Sequence, residues 1–212
     1  MPSLSLTAPV IGILRGIDAT FFSELMPACF EAGLDAIEVT VNTRDAFEII
    51  AANRPKVPPG KLLGMGTVRN LAEARLAVEA GAMFLVSPNL DREVLAYAAD
   101  RNIPMVAGAL TPSEIYDAWS NGAAMVKVFP CGAMGGPQYI RDLRGPFEAV
   151  PLVAVGGVER DNLEQYFAAG AAAVGVSGSL FGKQALADRN LKLLTKNVKE
   201  FISQCAAVLY KG

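Results

Sequence analysis

The stretch EAGLDAIEV, residues 31–39, contains the pattern from which the fold of this chain follows. Its glycine precedes an apolar run, and the same order returns in EAGAMFLV (79–86), NGAAMVKV (121–128) and AAGAAAVGV (168–176). Glycine is the usual left-handed residue at the end of a helix, and a short apolar run after it is typical of a buried strand. The sequence therefore repeats a helix–glycine–strand unit.

The rest of the chain alternates in the same way. The predicted strands are Val10–Gly16, Ala36–Val41, Leu62–Val68, Met83–Pro88, Pro104–Leu110, Ala124–Pro130, Leu152–Val158 and Ala172–Ser177. Helical patterns lie between them, with capping signals at Thr111–Glu114 and Asp161–Glu164. A closing amphipathic helix is indicated by apolar residues at helical spacing, namely Leu191, Leu194, Val198, Phe201, Cys205 and Leu209.

Eight consecutive strand–helix units predict an α/β protein with one domain, a (β/α)8 TIM barrel over residues 1–212. An open doubly wound sheet is the structural alternative. Eight consecutive units without a dinucleotide fingerprint favour the closed barrel.

Composition and charge exclude several classes of function. The chain is 52% hydrophobic and its net charge is −2 with no basic run, so nothing indicates binding to nucleic acid. No apolar stretch is long enough for a transmembrane helix, and the N-terminus lacks a secretory signal. Histidine is absent, and three scattered cysteines (Cys29, Cys131 and Cys205) suit a reducing cytosol better than a zinc site or disulfides. We expect a soluble cytoplasmic protein without a metal.

One lysine interrupts the apolar run of the third stretch. Lys127 stands between Val126 and Val128, where an ammonium group would lose its hydration, and lysine is almost never fully buried without a partner. The other lysines fall in predicted loops or helices. Glu38, in the strand of the first stretch, is the carboxylate in a comparable place. The sequence therefore predicts a buried lysine that faces a carboxylate.

Two interpretations of this pair remain open at the level of the residues. Lys127 and Glu38 can form a structural ion pair, although buried pairs stabilise poorly compared with apolar packing. They can also be chemical, because burial favours the neutral amine of lysine, and a neutral amine attacks ketones to form a Schiff base. A nearby carboxylate would then move the protons, and the absence of histidine makes Glu38 the candidate.

Further polar residues and glycines end the other strands. They are Arg15, Thr67, Ser87, Gly156-Gly157 and Gly178-Ser179. Functional residues of a barrel gather at the carboxyl ends of its strands, and exposed amides in the turns after strands seven and eight form its usual phosphate site. The last two pairs stand in those two turns, so we expect them to bind phosphate.

These motifs resemble the class I pyruvate aldolases of the Entner–Doudoroff type, which cleave 2-keto-3-deoxy-6-phosphogluconate or 2-keto-3-deoxy-6-phosphogalactonate. The resemblance extends from Pro9 to Gly182 and is carried by ILRG, IEVT, GMGTV, SPN, VKVFP, GGPQYI, AVGGV and GSLF. It implies that Lys127 forms the Schiff base and that Glu38 is the general acid/base. It also implies a cytoplasmic homotrimer that uses neither a metal nor a cofactor.

The resemblance implies the substrate-binding residues as well. They are Arg15, Thr67, Pro88, Phe129, Val155, Gly156, Gly157, Gly178 and Ser179. In this set Arg15 and Thr67 contact the carboxylate side of the pyruvyl moiety, while Pro88 and Phe129 line the pocket. The glycine turns and Ser179 bind the phosphate.

Two positions depart from the gluconate-type pattern. Asn42 stands where that type usually has an arginine, four residues after the glutamate, and Val155 stands where it tends to have threonine. Arg15 would supply the missing positive charge from strand one. Both departures resemble the galactonate branch, so the expected reaction is cleavage of 2-keto-3-deoxy-6-phosphogalactonate to pyruvate and glyceraldehyde 3-phosphate. The gluconate epimer and 4-hydroxy-2-oxoglutarate are the alternative substrates.

Two other classes of function remain as alternatives. A non-catalytic sugar-phosphate-binding barrel would keep the glycine turns, but it has no need of a lone buried lysine that faces a carboxylate. An isomerase or a thiamine-phosphate-type synthase would share the same turns without the VKVFP motif. Only the aldolase hypothesis predicts a covalent adduct with pyruvate that borohydride traps.

Overall fold

Residues 3–209 are described by a computed structural model in which eight parallel strands close into a barrel. The strands are β1 (Val10–Leu14), β2 (Ala36–Thr40), β3 (Leu62–Gly66), β4 (Leu85–Val86), β5 (Met105–Ala109), β6 (Met125–Val128), β7 (Leu152–Val155) and β8 (Ala173–Val176). Residues 1, 2 and 210–212, which the predicted domain includes, lie outside the described residues, as does the side chain of Leu209 in the predicted apolar stripe.

Helices alternate with the strands and surround the barrel. They are α1 (Ala19–Glu31), α2 (Ala46–Asn53), α3 (Leu71–Glu79), α4 (Arg92–Asp100), α5 (Pro112–Ser120), α6 (Pro137–Arg144), α7 (Leu163–Ala168), α8 (Gly178–Phe181), α9 (Lys183–Ala187) and α10 (Leu191–Leu209). Two short 3₁₀ helices cover Arg54–Lys56 and Gly132–Met134. No helix within residues 3–209 is long and apolar enough to cross a bilayer.

The barrel closes because β8 pairs with β1 as well as with β7. Val10 lies opposite Val174, and every neighbouring pair of strands is parallel. The predicted TIM barrel is confirmed, and the open doubly wound sheet is wrong for this chain.

The glycines of the four repeated stretches end helices, as predicted. After α1, Gly33 has φ +102°, its amide donates to the carbonyl of Phe30, and the amide of Leu34 donates to that of Cys29. This pair of bonds is a Schellman motif, which satisfies carbonyls that the helix end leaves without partners. The same two bonds recur after α3, α5 and α7. The helix–glycine–strand pattern is thus a repeated way to turn from a helix into the next strand.

The strands end earlier than the sequence predicts. The first runs to Leu14 rather than Gly16, and the third runs to Gly66 rather than Val68. The residues just beyond several strands have positive φ, among them Gly16, Thr67 and Gly156, and that conformation is incompatible with a strand. Arg15, Thr67, Ser87 and Gly156-Gly157 therefore lie in the loops that follow the strands, and Gly178-Ser179 begin helix α8.

The two predicted capping signals have different outcomes. Thr111 forms a complete capping box with Glu114 at the start of α5. At α7, Asn162 occupies the N-cap but its side chain makes no cap bond. It accepts instead from the amide of Glu159 and donates to the carbonyl of Gly157. That side chain orders the loop after β7 rather than the helix.

Apolar side chains form one layer inside the barrel and another between the strands and the helices. The inner layer includes Ile11, Val86, Val106 and Val153, and Leu4 packs against it. The outer layer includes the inward face of α10, formed by Leu194, Val198, Phe201 and Cys205, which are all fully buried. The three cysteines are buried and free. This core supports the carboxyl ends of the strands, where the polar residues collect.

Candidate active site

A cavity of about 360 Å³ opens at the carboxyl ends of the strands. Every residue that the sequence predicts for the site lines it, namely Arg15, Glu38, Thr67, Pro88, Lys127, Phe129, Val155, Gly156, Gly157, Gly178 and Ser179. The volume lies within the range of pockets that hold small molecules. The structure thus brings into one place residues from seven strands or the segments directly after them.

Lys127 lies on β6, opposite Gly108 of β5 and Val153 of β7. Only 6% of the residue is exposed, and its ammonium nitrogen lies 5.0 Å from the ring centroid of Phe129. Burial lowers the pKa of this lysine; the Glu38 charge opposes that shift, and the Arg15 charge adds to it. A lower pKa increases the fraction of neutral, nucleophilic amine.

Glu38 lies on β2 and is 1% exposed. Its Oε2 atom is buried and has no hydrogen-bond partner in residues 3–209. Burial raises the pKa of this carboxyl to about 7, and the positive charges of Lys127 and Arg15 only partly offset the effect. A carboxyl with a pKa near neutrality can both donate and accept a proton at physiological pH.

The space for the Glu38 carboxyl comes from a glycine on the neighbouring strand. A Cβ atom placed on Gly66 would lie 2.2 Å from Oε1 of Glu38 and 2.5 Å from its Cδ. The φ of Gly66 is not positive, so its backbone does not require glycine. The missing side chain serves to make room for the carboxyl.

Lys127 and Glu38 do not form the structural ion pair that one interpretation predicts. Among residues 3–209, no contact within 4.0 Å joins the ammonium and the carboxylate. Strands β2 and β6 stand on opposite sides of the eight-stranded barrel. A buried carboxyl oxygen without a partner costs stability, and such groups in native proteins often have a catalytic role. The arrangement leaves room for a ligand between the two groups.

A short hydrogen-bond chain positions the loop that carries Arg15. The hydroxyls of Thr40 and Thr43 lie 3.1 Å apart, and Thr43 Oγ1 accepts a bond from the amide of Gly16. Arg15 itself is exposed and has no ion-pair partner in the described chain. Its guanidinium is therefore free to bind an anionic ligand.

Thr67 has an unusual backbone conformation, with φ +59°. A β-branched residue in this region is strained, and such strain clusters at ligand and active sites. The strain is held in place because Val68, the next residue, bonds to Val86 of β4 through its amide.

Ser87 and Pro88 form the turn after β4. Ser87 is buried, its hydroxyl donates to the carbonyl of Asn89, and it accepts from the amide of Gly108. A Cβ atom on Gly108 would lie 2.4 Å from the carbonyl carbon of Pro88. This close approach brings Pro88 into the cavity, while Ser87 itself does not line it.

In the turn after β7, the backbone carbonyls accept hydrogen bonds from neighbouring residues. The amides of Cys131 and Gly132 donate to the carbonyls of Val155 and Gly156, and Asn162 donates to that of Gly157. Because a trans peptide directs its N–H opposite to its C=O, the following amides point away from these donors. The amides of residues 156, 157, 178 and 179 donate no hydrogen bond within residues 3–209.

The Ser179 side chain has a structural partner. Its hydroxyl donates to the carbonyl of Val158, which ties the turn after β8 to the turn after β7. Because the hydroxyl proton of Ser179 is used in that bond, the backbone amide is the donor that Ser179 can offer to a ligand.

Sequence reasoning missed two charged residues of the cavity. Lys183 and Glu159 both line it next to the glycine turns. The sequence places Lys183 in a loop or helix, and its position there does not show that its side chain borders the cavity. Its place directly after GSLFG, five residues beyond Gly178, was the signal that could have found it. Asn42 is exposed and does not line the cavity.

No group of three or more cysteine, aspartate or glutamate side chains in residues 3–209 lies close enough to hold a metal ion. The chain has no histidine that could complete such a group.

The sequence matches the aldolase family described as "KDPG and KHG aldolase" over residues 3–197. The chain belongs to the KDPG and KHG aldolase family. A probable 2-dehydro-3-deoxy-6-phosphogalactonate aldolase of Rhizobium meliloti is 32% identical, and the match covers 85% of each chain. A 2-dehydro-3-deoxy-phosphogluconate aldolase of Treponema pallidum is 36% identical over 76% of this chain and 74% of that protein.

A solved member of the KDPG aldolases has the same fold. KDPG aldolase from Legionella pneumophila, with pyruvate captured at low pH as a covalent carbinolamine intermediate, is similar with a TM-score of 0.84 and 28% identity. The match covers 92% of this chain and 94% of that chain. This chain is accordingly a class I aldolase, and so a carbon–carbon lyase. It belongs to the family of 2-keto-3-deoxy-6-phosphogluconate (KDPG) and 2-keto-3-deoxy-6-phosphogalactonate (KDPGal) aldolases.

Proposed function

We propose that this aldolase cleaves 2-keto-3-deoxy-6-phosphogalactonate into pyruvate and glyceraldehyde 3-phosphate through a Schiff base on Lys127. One observation carries the proposal. A buried amine and a buried carboxyl line the same cavity without pairing, and burial shifts the pKa of each group towards its neutral form. Such opposed shifts are typical of acid–base and nucleophilic sites.

The first half of the reaction builds an electron sink. The neutral amine of Lys127 attacks the C2 ketone, and Glu38 donates the proton with which the carbinolamine loses water. The product is an iminium ion at C2. It carries the positive charge that will accept the electrons of the breaking bond.

The second half breaks the carbon–carbon bond. Glu38, now a carboxylate, removes the proton of the C4 hydroxyl; the C3–C4 bond breaks, and its electrons form an enamine with the former iminium. Glyceraldehyde 3-phosphate leaves as the aldehyde. Protonation of the enamine at C3 and hydrolysis of the resulting imine release pyruvate and restore Lys127.

The other cavity residues orient the substrate. Arg15 and Thr67 bind the carboxylate end, and Pro88 and Phe129 form the apolar walls beside the reacting carbons. The free amides of the turns after β7 and β8 bind the phosphate at the far end. This division places one anionic group of the substrate at each end of the cavity.

The galactonate epimer is favoured by the residue beside C4. Val155 is 7% exposed, lines the cavity and packs against Gly175. Its side chain offers no hydrogen bond, so it cannot select the gluconate configuration as a threonine would. Arg15 approaches from β1, whereas an arginine at position 42 would approach from β2.

The test is the rate of pyruvate release from both C4 epimers. We expect kcat/KM to favour the galactonate epimer, with some activity on the gluconate epimer. Val155→Thr should shift the ratio towards gluconate by about 1–2 kcal/mol, the net value of one hydrogen bond. A wild type that prefers the gluconate epimer by more than about 100-fold would overturn the assignment. It would make gluconate-type cleavage the function.

We also propose that the enzyme is a cytoplasmic homotrimer that needs neither a metal nor a cofactor. The family resemblance supports the trimer and the compartment. The chemistry supports the rest, since the iminium withdraws electrons as a Lewis-acid metal would.

A further inference from the structure

Lys183 is a charged residue of the cavity that the mechanism above does not use. It is the first residue of α9 and lines the cavity together with the glycine turns after β7 and β8. It is therefore at the end of the cavity where those turns offer free amides, away from the carboxylate end.

The stem of Lys183 lies across Gly178 rather than extending away from the barrel. A Cβ atom on Gly178 would lie 2.9 Å from Cγ of Lys183 and 3.1 Å from its Cε. The φ of Gly178 is not positive, so its backbone conformation does not demand glycine. The space over Gly178 is what allows the lysine to fold along the rim of the cavity.

The ammonium of Lys183 has no counter-ion in residues 3–209. No carboxylate lies within 4.0 Å of it, and its side chain makes no hydrogen bond there. Glu159 is the other charged side chain at this end of the cavity, and it does not pair with Lys183 either. The ammonium of an exposed lysine without a counter-ion can pair with an anionic group that a ligand brings to it.

We propose that Lys183 is a specificity-determining residue that pairs with the phosphate group of the substrate, so that the enzyme prefers phosphorylated over unphosphorylated sugar acids. The amides of the turns bind phosphate oxygens but carry no net charge. The ammonium adds a full positive charge opposite a group that is close to a dianion at neutral pH. This inference rests on the proposed function, since it concerns the far end of the same substrate.

The experiment compares kcat and KM for 2-keto-3-deoxy-6-phosphogalactonate and its unphosphorylated counterpart. Lys183→Gln should raise KM for the phosphorylated substrate about tenfold, the effect of losing one charge-assisted hydrogen bond, and leave its kcat within about twofold. Its kcat/KM for the unphosphorylated substrate should not change. Lys183→Arg should retain most of the preference, because the charge remains.

The matched control is Lys192→Gln. Lys192 is an exposed lysine of α10 outside the cavity, so the substitution changes the net charge equally and should leave both substrates unaffected. Equal losses on both substrates in Lys183→Gln, or no loss on either, would overturn the inference.

A binding measurement separates this inference from the proposed function. If the wild type neither cleaves the sugar acids nor forms an adduct with pyruvate, the proposed function fails. Titration with inorganic phosphate by calorimetry still tests Lys183. An affinity about tenfold weaker in Lys183→Gln supports its role, and an unchanged affinity contradicts it.

Discussion

Two ionisable side chains on opposite strands dominate the chemistry of the cavity. Lys127 and Glu38 are both almost fully buried, and burial alone favours their uncharged forms. The charge of each group stabilises the charged form of the other, although the two groups form no ion pair. A substrate ketone between them would meet a neutral nucleophile and a carboxyl that exchanges protons near pH 7.

At the residue scale, the pKa of Glu38 predicts the pH dependence of cleavage. Its value of about 7 means that the protonated carboxyl, which donates the proton with which the carbinolamine loses water, decreases about tenfold for each pH unit above that value. We therefore expect kcat/KM to fall as the pH rises through about 7. Glu38→Gln should lose this limb and lower kcat by about 10²–10⁴-fold, while adduct formation persists in part.

The check is a pH–rate profile of both proteins. A Glu38→Gln variant with near wild-type kcat, or with the same alkaline limb, would remove Glu38 from the proton transfers.

The sequence predicted these two residues because each breaks an apolar strand with a charge. It did not predict Lys183, since a lysine in a helical pattern has the same appearance whether it covers a cavity or extends into solvent. It also missed the purpose of Gly66, because a vacant position beside Glu38 depends on strand register, which emerges only when the barrel closes.

At the scale of elements, a glycine of strand β3, Gly66, leaves the space that the Glu38 carboxyl of strand β2 occupies. We expect Gly66→Ala to lower kcat about 10²-fold, because its Cβ would sit 2.2 Å from Oε1 of Glu38 and displace the carboxyl by about an ångström. Gly145→Ala is the control, since the nearest atom to a Cβ there is 3.4 Å away. Steady-state kinetics with a thermal unfolding scan checks this. Wild-type kcat in folded Gly66→Ala would show that the carboxyl tolerates displacement.

The loop between β7 and α7 predicts a separate effect on binding. Asn162→Ala removes the bonds to the carbonyl of Gly157 and the amide of Glu159, so the free amides of the turn lose their fixed direction. We expect KM for the phosphorylated substrate to rise about three- to tenfold, with kcat nearly unchanged, the scale of one or two hydrogen bonds.

Asn190→Ala provides the comparison for that variant. Asn190 caps α10 through Leu193, outside the cavity, and its loss should reduce stability by about 1 kcal/mol without changing KM. A change in kcat rather than KM for Asn162→Ala would contradict the positioning role.

Element types were predictable along the chain, because glycine turns and apolar runs are local features. Strand ends were not. Thr67 and Gly156 are small residues that directly follow apolar runs, and the sequence does not reveal that their φ is positive. The direction of the Asn162 side chain was equally hidden, since an N-cap and a loop contact require the same residue type.

At the scale of the whole molecule, the iminium mechanism predicts independence from divalent metals. Activity should survive dialysis against EDTA and should not rise when magnesium or manganese is added, because the Schiff base provides the electron sink. Steady-state rates before and after chelation give the answer. Loss of activity that either ion restores would contradict the mechanism.

Assembly is a second prediction at this scale. The proposed homotrimer should have a molar mass in solution of about three times the chain mass of 22.3 kDa, across a range of protein concentrations. Sedimentation equilibrium measures this directly, and a monomer at enzymatic concentrations would refute the trimer.

The central claim is that Lys127 forms the Schiff base, and borohydride trapping with pyruvate tests it most directly. The protein is reduced in the presence of pyruvate, digested and examined by peptide mass spectrometry, with Lys127→Ala and Lys192→Gln treated in parallel. We predict a reduced pyruvyl adduct on Lys127 in the wild type and in Lys192→Gln, and no adduct in a folded Lys127→Ala. An adduct on a different lysine, or trapping that persists in Lys127→Ala, would contradict the account.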